Sequence, residues 1–142
     1  MKISNEMWKI VQVHLGYNDE EMEFIQKNPK TEGIVSKIPK LMNMNFVFEV
    51  VQSHGCGSQH KVADKIYFDG LGCLVPELSP KRICAFAVSS ISQLIWTAQE
   101  LVYADVDPNT MRLNKVCCID VGVKCGGLGN AVFEFKAEQK NK

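Results

Sequence analysis

The sequence predicts an α+β fold in which a small, mainly antiparallel sheet carries one long helix and follows an N-terminal helical segment. Up to residue 44 the apolar residues recur at helical spacing, whereas residues 46–51 read Phe-Val-Phe-Glu-Val-Val and are typical of a strand. A later segment, residues 79–102, keeps helical spacing long enough to cover a sheet. The 142 residues, 46% of them hydrophobic, are enough to bury a core.

These patterns divide the chain into three parts. Residues 1–44 are predicted to form an N-terminal helical segment, residues 45–137 a cysteine-containing α+β domain, and residues 138–142, which are all polar, a disordered tail. The N-terminal helices are too short to be stable alone, so their apolar faces must cover the main domain or pair with a second subunit. A homo-oligomer is therefore expected.

Local signals mark the N-terminal helices. Ser4 is a good N-cap for the first helix, and Gly16 is placed to end it. Asn18 followed by Glu21 predicts a capping box at the start of the second helix. A third short helix is expected from Thr31 to about Ile38 or Met42.

Strand and turn signals follow in the main domain. The predicted strands cover residues 45–52, 65–68, 115–120 and 130–136, and a glycine-rich turn over residues 125–129 joins the last two. The long helix is predicted to begin with Ser79 as its N-cap and Pro80 in the first helical position, where the missing N–H costs nothing.

Composition excludes several classes of function. Sixteen basic residues balance sixteen acidic ones, so no net field attracts nucleic acid or an anionic membrane. The N-terminus lacks the apolar run of a secretory signal, and no apolar stretch is long enough to cross a bilayer. A cytoplasmic protein is expected, and six cysteines in that reducing setting favour metal binding or thiol chemistry over disulfides.

Five cysteine and histidine residues stand at or near the ends of predicted elements: Cys56, His60, Cys84, Cys118 and Cys125. Loops after strands and a helix N-terminus can meet at one edge of a small sheet, so a shared site is sterically reasonable. Thiolates are the ligands of zinc and of iron–sulfur clusters, and a helix N-terminus stabilises a thiolate. The spacing itself is loose, since the chain has no paired CxxC motif.

Structural interpretations stand beside this one. Cys84 and Cys117 lie in apolar contexts and fit small buried hydrophobes, while Cys73 lies in a loop and is interpreted as incidental. His54 and His60 are also typical of surface or turn histidines. Asp120, close to Cys118, fits either an acceptor that supports the site or the end of a strand.

Three stretches of the chain carry a family resemblance: Ser53-His54-Gly55-Cys56 through His60-Lys61-Val62, then Phe68-Asp69-Gly70, then Ser79-Pro80-Lys81-Arg82-Ile83-Cys84-Ala85-Phe86-Ala87. They resemble a family of small uncharacterised proteins from anaerobic bacteria and archaea. The resemblance covers about residues 46–136, and the N-terminal helices match only a longer subgroup.

The resemblance implies a particular set of residues but no established activity. It singles out Cys56, His60, Cys84 and Cys118, whereas Cys125 matches only the longer subgroup. The chain departs from the family pattern where Gln59, Ala63 and Ala85 stand in place of Gly, Gly and Pro, which affects the conformation of the loop. An anaerobic setting implies iron–sulfur chemistry ahead of zinc.

Three functions follow as hypotheses. The first is a metal-binding accessory or redox protein that holds a [4Fe–4S] cluster or zinc through Cys56, Cys84, Cys118 and Cys125 and serves a protein partner or a larger anaerobic enzyme. In it, His60 is either an alternative ligand or a group that supports the ligands from behind. The second is a thiol-dependent enzyme with Cys84 as nucleophile and His60 as base. The third is a metal-free oligomeric interaction module.

Overall fold

The computed structural model describes residues 3–140 and confirms the α+β class. In that range the helices are α1 (Asn5–Leu15), α2 (Asp19–Lys27), α3 (Pro29–Met42) and α4 (Ala85–Tyr103), and the strands are β1 (Met44–His54), β2 (Lys65–Asp69), β3 (Lys115–Cys117) and β4 (Asn130–Gln139). Short 3₁₀ turns lie at Pro76–Leu78, Pro108–Thr110 and Val123–Cys125. The chain divides into two compact units between Pro39 and Lys40.

The N-terminal unit has the helix ends that its sequence predicts. Ser4 Oγ accepts a hydrogen bond from the Met7 N–H at 3.2 Å, and Gly16 ends α1 with a φ of +70°. Asn18 and Glu21 form the reciprocal capping box of α2, with bonds of 2.8 and 2.9 Å. Because these signals act within one helical turn, the sequence alone locates them.

The second unit contains one antiparallel sheet with the strand order β2-β1-β4-β3. β1 pairs with β4 over its whole length, from Met44 opposite Gln139 to His54 opposite Asn130, and the register shifts between Val50 and Gln52. The two ends of β1 therefore lie at opposite ends of the sheet, and each end carries its own set of side chains.

The core of this unit lies between the sheet and α4. The rings of Phe46, Phe48 and Phe135 pack together with centroids 5.4–5.6 Å apart, and Ile91 of α4 is fully buried in the same cluster. Each buried aromatic or aliphatic side chain contributes about 1.5–3 kcal/mol through removal from water. The predicted arrangement of one long helix on a small sheet is thus confirmed.

The predicted start of the long helix is wrong. α4 begins at Ala85, and its N-cap is Cys84, five residues after Ser79. The Ser79 hydroxyl instead donates to the carbonyl of Val75 at 2.8 Å and accepts the N–H of Tyr67 at 2.9 Å. The Ser79 hydroxyl therefore ties this connection to β2 instead of capping a helix. The residues between Ser79 and Cys84 are not helical.

Two strand ends also differ from the predictions. β3 ends at Cys117 rather than at Asp120, because Asp120 organises the following loop. β4 continues through Glu138 and Gln139, which pair with Asn45 and Met44, so the predicted disordered tail is wrong for these two residues. Residues 141–142 of that tail lie outside the described range.

Candidate functional site

Three of the six cysteines line one cavity at the carboxyl end of β1. Cys56 comes from the loop after β1, Cys84 from the N-cap of α4, and Cys118 from the residue after β3; the cavity has a volume of about 240 Å³ and His60 also lines it. These three cysteines are half-buried, whereas the other three are exposed. The structure thus brings together the four residues that the family resemblance singles out.

Two glycines allow the loops around this cavity to approach. Gly55 has a φ of +64°, and a Cβ at this position would lie 2.9 Å from the Leu128 carbonyl oxygen. A Cβ on Gly129 would overlap the Gly55 carbonyl oxygen. The Cys56 loop lies directly against the start of β4, and only glycine fits at these two positions because neither has room for a side chain.

His60 supports Cys84. The imidazole is only 4% exposed, its edge faces the ring of Phe133, and its Nε2 accepts the backbone N–H of Cys84 at 3.3 Å. The Ser53 hydroxyl donates to the His60 carbonyl at 2.6 Å and holds the backbone of the same residue. His60 therefore positions the start of α4 and, through it, the Cys84 thiol.

The electrostatics of His60 agree with this role. Burial lowers the pKa of the imidazole, and the charge of Asp64 opposes that shift only in part. A neutral ring whose Nε2 accepts a hydrogen bond carries its proton on Nδ1. In this arrangement Nε2 already accepts the Cys84 N–H and Nδ1 carries the proton. Neither nitrogen of His60 is then free to take the proton of a thiol or to bind a metal, which are the two roles predicted for it.

The Cys84 thiol has a lowered pKa. The Ser58 hydroxyl is the main cause, the burial of the sulfur opposes it, and the backbone N–H groups of Ala87 and Phe86 add to the lowering. Although Cys84 is the N-cap of α4, its side chain forms no capping hydrogen bond. Cys84 is therefore the cysteine best prepared to act as a thiolate.

Cys118 is fixed by strand β4. The Ala131 N–H donates to the Cys118 sulfur at 3.4 Å, and the Cys118 N–H donates to the Ala131 carbonyl at 3.0 Å. The neighbouring Cys117 is exposed as a residue, but its sulfur is partly buried. This partial burial, together with the nearby Cys118, raises the pKa of the Cys117 thiol. Of this pair, only Cys118 lines the cavity.

Asp120 organises the loop that follows. Its carboxylate accepts the N–H groups of Gly122, Leu128 and Gly129 at 2.9–3.2 Å, and these bonds lower its pKa. Of the two interpretations of Asp120, the structure favours the supporting acceptor, although the bonds go to backbone rather than to a ligand. The loop wraps around this carboxylate and returns the chain to β4.

Cys125 does not line the cavity. It is exposed in the 3₁₀ turn Val123–Cys125, on the far part of the Asp120 loop. Over residues 3–140, no three side chains of His, Cys, Asp or Glu are close enough to hold one metal ion as they stand. The four-thiolate set predicted from the sequence therefore remains a hypothesis, and three of its members share the cavity.

Several residues that line the cavity are not among the candidates that the sequence indicates. They are Ser58, Phe86, Leu128 and Phe133. Ser58 lies two residues after Cys56, in the interval between that cysteine and His60, which was the one available signal. The apolar residues carry no local mark of a site, because only the fold brings them to the cavity.

Comparisons with known proteins leave the family open. No family model, no curated protein and no solved structure matches the chain. In the part of the chain that the structure describes, no helix is both long and apolar enough to cross a bilayer.

Two residues of the loop between β1 and β2 have left-handed backbone although they are not glycine. Gln59 and Ala63 have φ values of +60° and +76°. Left-handed backbone favours glycine, so the loop of this chain adopts a conformation that glycine at these two positions would suit.

Proposed function

We propose that the chain is a small metal-binding accessory or redox protein that holds zinc or an iron–sulfur cluster through Cys56, Cys84 and Cys118. The observation that carries the proposal is the convergence of three half-buried thiols, from three separate elements, on one cavity of about 240 Å³. Thiolates are the preferred ligands of both groups. Three protein ligands leave one position for an external ligand or for a rearranged Cys125.

Each residue around the thiols has a distinct task in this proposal. The hydroxyl of Ser58 favours the thiolate form of Cys84, which is the form that binds metal. His60 holds the backbone of Cys84 in place. Phe133 and Ala131 form an apolar wall that limits the access of water, and a bound group would supply Lewis-acid or electron-transfer chemistry.

The proposal extends to a partner and a compartment. Phe86 and Leu128 line the cavity while being 58% and 84% exposed, so apolar side chains surround its opening. Such residues suit contact with a larger enzyme or with a second copy of the chain. The six cysteines are free, which suits the cytoplasm or another reducing compartment.

The test is metal and sulfide analysis, with a visible spectrum, of protein purified without oxygen. We expect the protein to contain either zinc alone or iron with sulfide. Each of the variants Cys56→Ser, Cys84→Ser and Cys118→Ser should lose most of this metal content. Cys73→Ser is the matched control because Cys73 is exposed and lies outside the cavity. Protein without metal, or equal metal content in all four variants, would overturn the proposal.

A second candidate is thiol-dependent chemistry at Cys84 alone. The lowered pKa of this thiol and its place in a cavity favour it. His60 does not act as the base here, because its Nε2 accepts the backbone N–H of Cys84. A metal-free protein with a selectively reactive Cys84 would support this candidate over the first.

A further inference from the structure

A second cavity lies at the amino end of β1, on the face of the sheet that does not carry α4. Its volume is about 520 Å³, and its lining includes Asn45, Tyr67, Asp69, Glu138 and Lys140. Side chains alternate between the faces of a strand, so Asn45 points away from the core that contains Phe46. The distance along β1 from Asn45 to His54 is about 30 Å, which separates this cavity from the thiols.

Asn45 has an unmet hydrogen-bonding group. The residue is only 8% exposed, and its side-chain oxygen Oδ1 is the one buried side-chain polar atom, among the described residues, without a hydrogen-bond partner. Leaving such an acceptor unpaired costs about 1–3 kcal/mol. The χ2 torsion of asparagine is soft, so the amide can turn toward a donor that enters the cavity.

Two carboxylates lie beside Asn45 across the sheet. Asp69 of β2 and Glu138 of β4 are both directly opposite Asn45 in the strand register. Directly opposed residues share one face, with Cβ atoms about 4.5–5.5 Å apart. The N–H groups of Leu71 and Cys73 donate to Asp69 Oδ1 at 3.0 and 2.9 Å and hold this carboxylate in position.

The charge and the walls of the cavity define the ligand. Two carboxylates and the ammonium of Lys140 give the lining a formal charge of −1, which a monocation complements. The oxygens of Asn45, Asp69 and Glu138 accept hydrogen bonds, so the cation must donate them. The Tyr67 ring and the Val75 side chain offer apolar surface, and the volume far exceeds that of a bare metal ion.

We propose that this cavity binds a small primary ammonium compound with a short apolar body. Its ammonium group donates to Asn45 Oδ1 and to the carboxylates of Asp69 and Glu138, while its apolar body lies against Tyr67 and Val75. This site is independent of the thiol site, and either can exist without the other.

The experiment is a titration of the full chain with n-butylammonium chloride at constant ionic strength, followed by NMR of the backbone and side-chain amides. We expect saturable shifts at Asn45 and at its neighbours in β2 and β4. Butan-1-ol has the same apolar body without the charge and should give no such shifts. Calcium chloride tests the alternative of a metal ion.

Variants separate the ligand contacts from the fold. Glu138→Gln should weaken binding at least tenfold, and Glu134→Gln, on the same strand but outside the cavity, should leave it unchanged. Asn45→Leu should abolish binding and keep or raise the unfolding midpoint, because it removes the unpaired oxygen. Equal binding of butanol, unchanged affinity in Glu138→Gln, or saturable binding of calcium instead of the amine would overturn the proposal.

Discussion

The two ends of β1 present opposite chemistry. At the carboxyl end, three thiols and the buried His60 line a mainly apolar cavity. At the amino end, Asn45 lies between the carboxylates of Asp69 and Glu138 in a larger cavity with charged residues in its walls. One continuous strand therefore reaches two cavities of different kinds.

The difference comes from how the chain reaches each end. The thiol end is built by loops, in which Gly55 and Gly129 let two backbones touch, so residues far apart in sequence meet. The amino end is built by strand register, which sets Asn45 beside its two carboxylates. A loop-built site should respond to changes in backbone conformation, whereas a register-built site should respond to changes in side-chain chemistry.

The largest effect is expected from alanine at glycines where backbones cross. At the thiol end Gly129 faces Gly55, and at the amino end a Cβ on Gly70 would overlap the carbonyl of Leu41. Gly129→Ala and Gly70→Ala should each lower the free energy of unfolding by about 1–3 kcal/mol in urea titrations. Only Gly129→Ala should also reduce metal content and Cys84 reactivity.

Gly57→Ala is the matched control for these variants. Gly57 lies in the Cys56 loop, but a Cβ there would meet no atom within 4 Å. Its stability and metal content should therefore stay close to those of the wild type. If Gly70→Ala reduced metal content as much as Gly129→Ala does, the separation of the two ends would be contradicted.

A smaller effect is expected from Ser58→Ala on the reactivity of Cys84. The pKa of Cys84 is below its ordinary value of 9.0, with Ser58 as the main cause, so the variant should move that pKa upward. Rates of iodoacetamide alkylation, followed for the Cys84 peptide by mass spectrometry, should then rise at a higher pH than in the wild type. Ser92→Ala, exposed on α4, should keep the wild-type profile.

The sign of the linked stability follows from the same shift. A thiol whose folded pKa is lowered stabilises the fold above its unfolded pKa, near 9.0, and that contribution is lost as the pH falls through the folded pKa. Ser58→Ala should reduce the gain in stability as the pH rises toward 9. An identical alkylation midpoint in the variant and the wild type would show that Ser58 does not act on this thiol.

The smallest effect is expected from Ala63→Gly. Ala63 has a φ of +76°, a conformation that costs a non-glycine residue about 1–2 kcal/mol, although glycine loses more entropy on folding. The variant should therefore gain up to about 1 kcal/mol in thermal or urea unfolding. Ala104→Gly, where φ is −83°, is the control and should show no gain. A less stable Ala63→Gly would mean that the loop tolerates the left-handed backbone without strain.

Some parts of this protein are determined by the sequence alone. The caps at Ser4 and Asn18, the long central strand and the α+β class follow from signals within a few residues, and the structure confirms them. Local signals work because a cap or an alternating strand is stabilised by its near neighbours. The same signals failed at Ser79, whose hydroxyl bonds to the strand β2 instead of a helix.

Only the tertiary structure decided which residues meet at each cavity. Spacing could not distinguish Cys118 from Cys125, because the Asp120 loop determines which thiol faces the cavity. The sequence gives no sign that Asn45, Asp69 and Glu138 are neighbours. They lie on three different strands, and only the strand register brings them together. A site is a set of long-range contacts, and such contacts depend on packing and register rather than on any single segment.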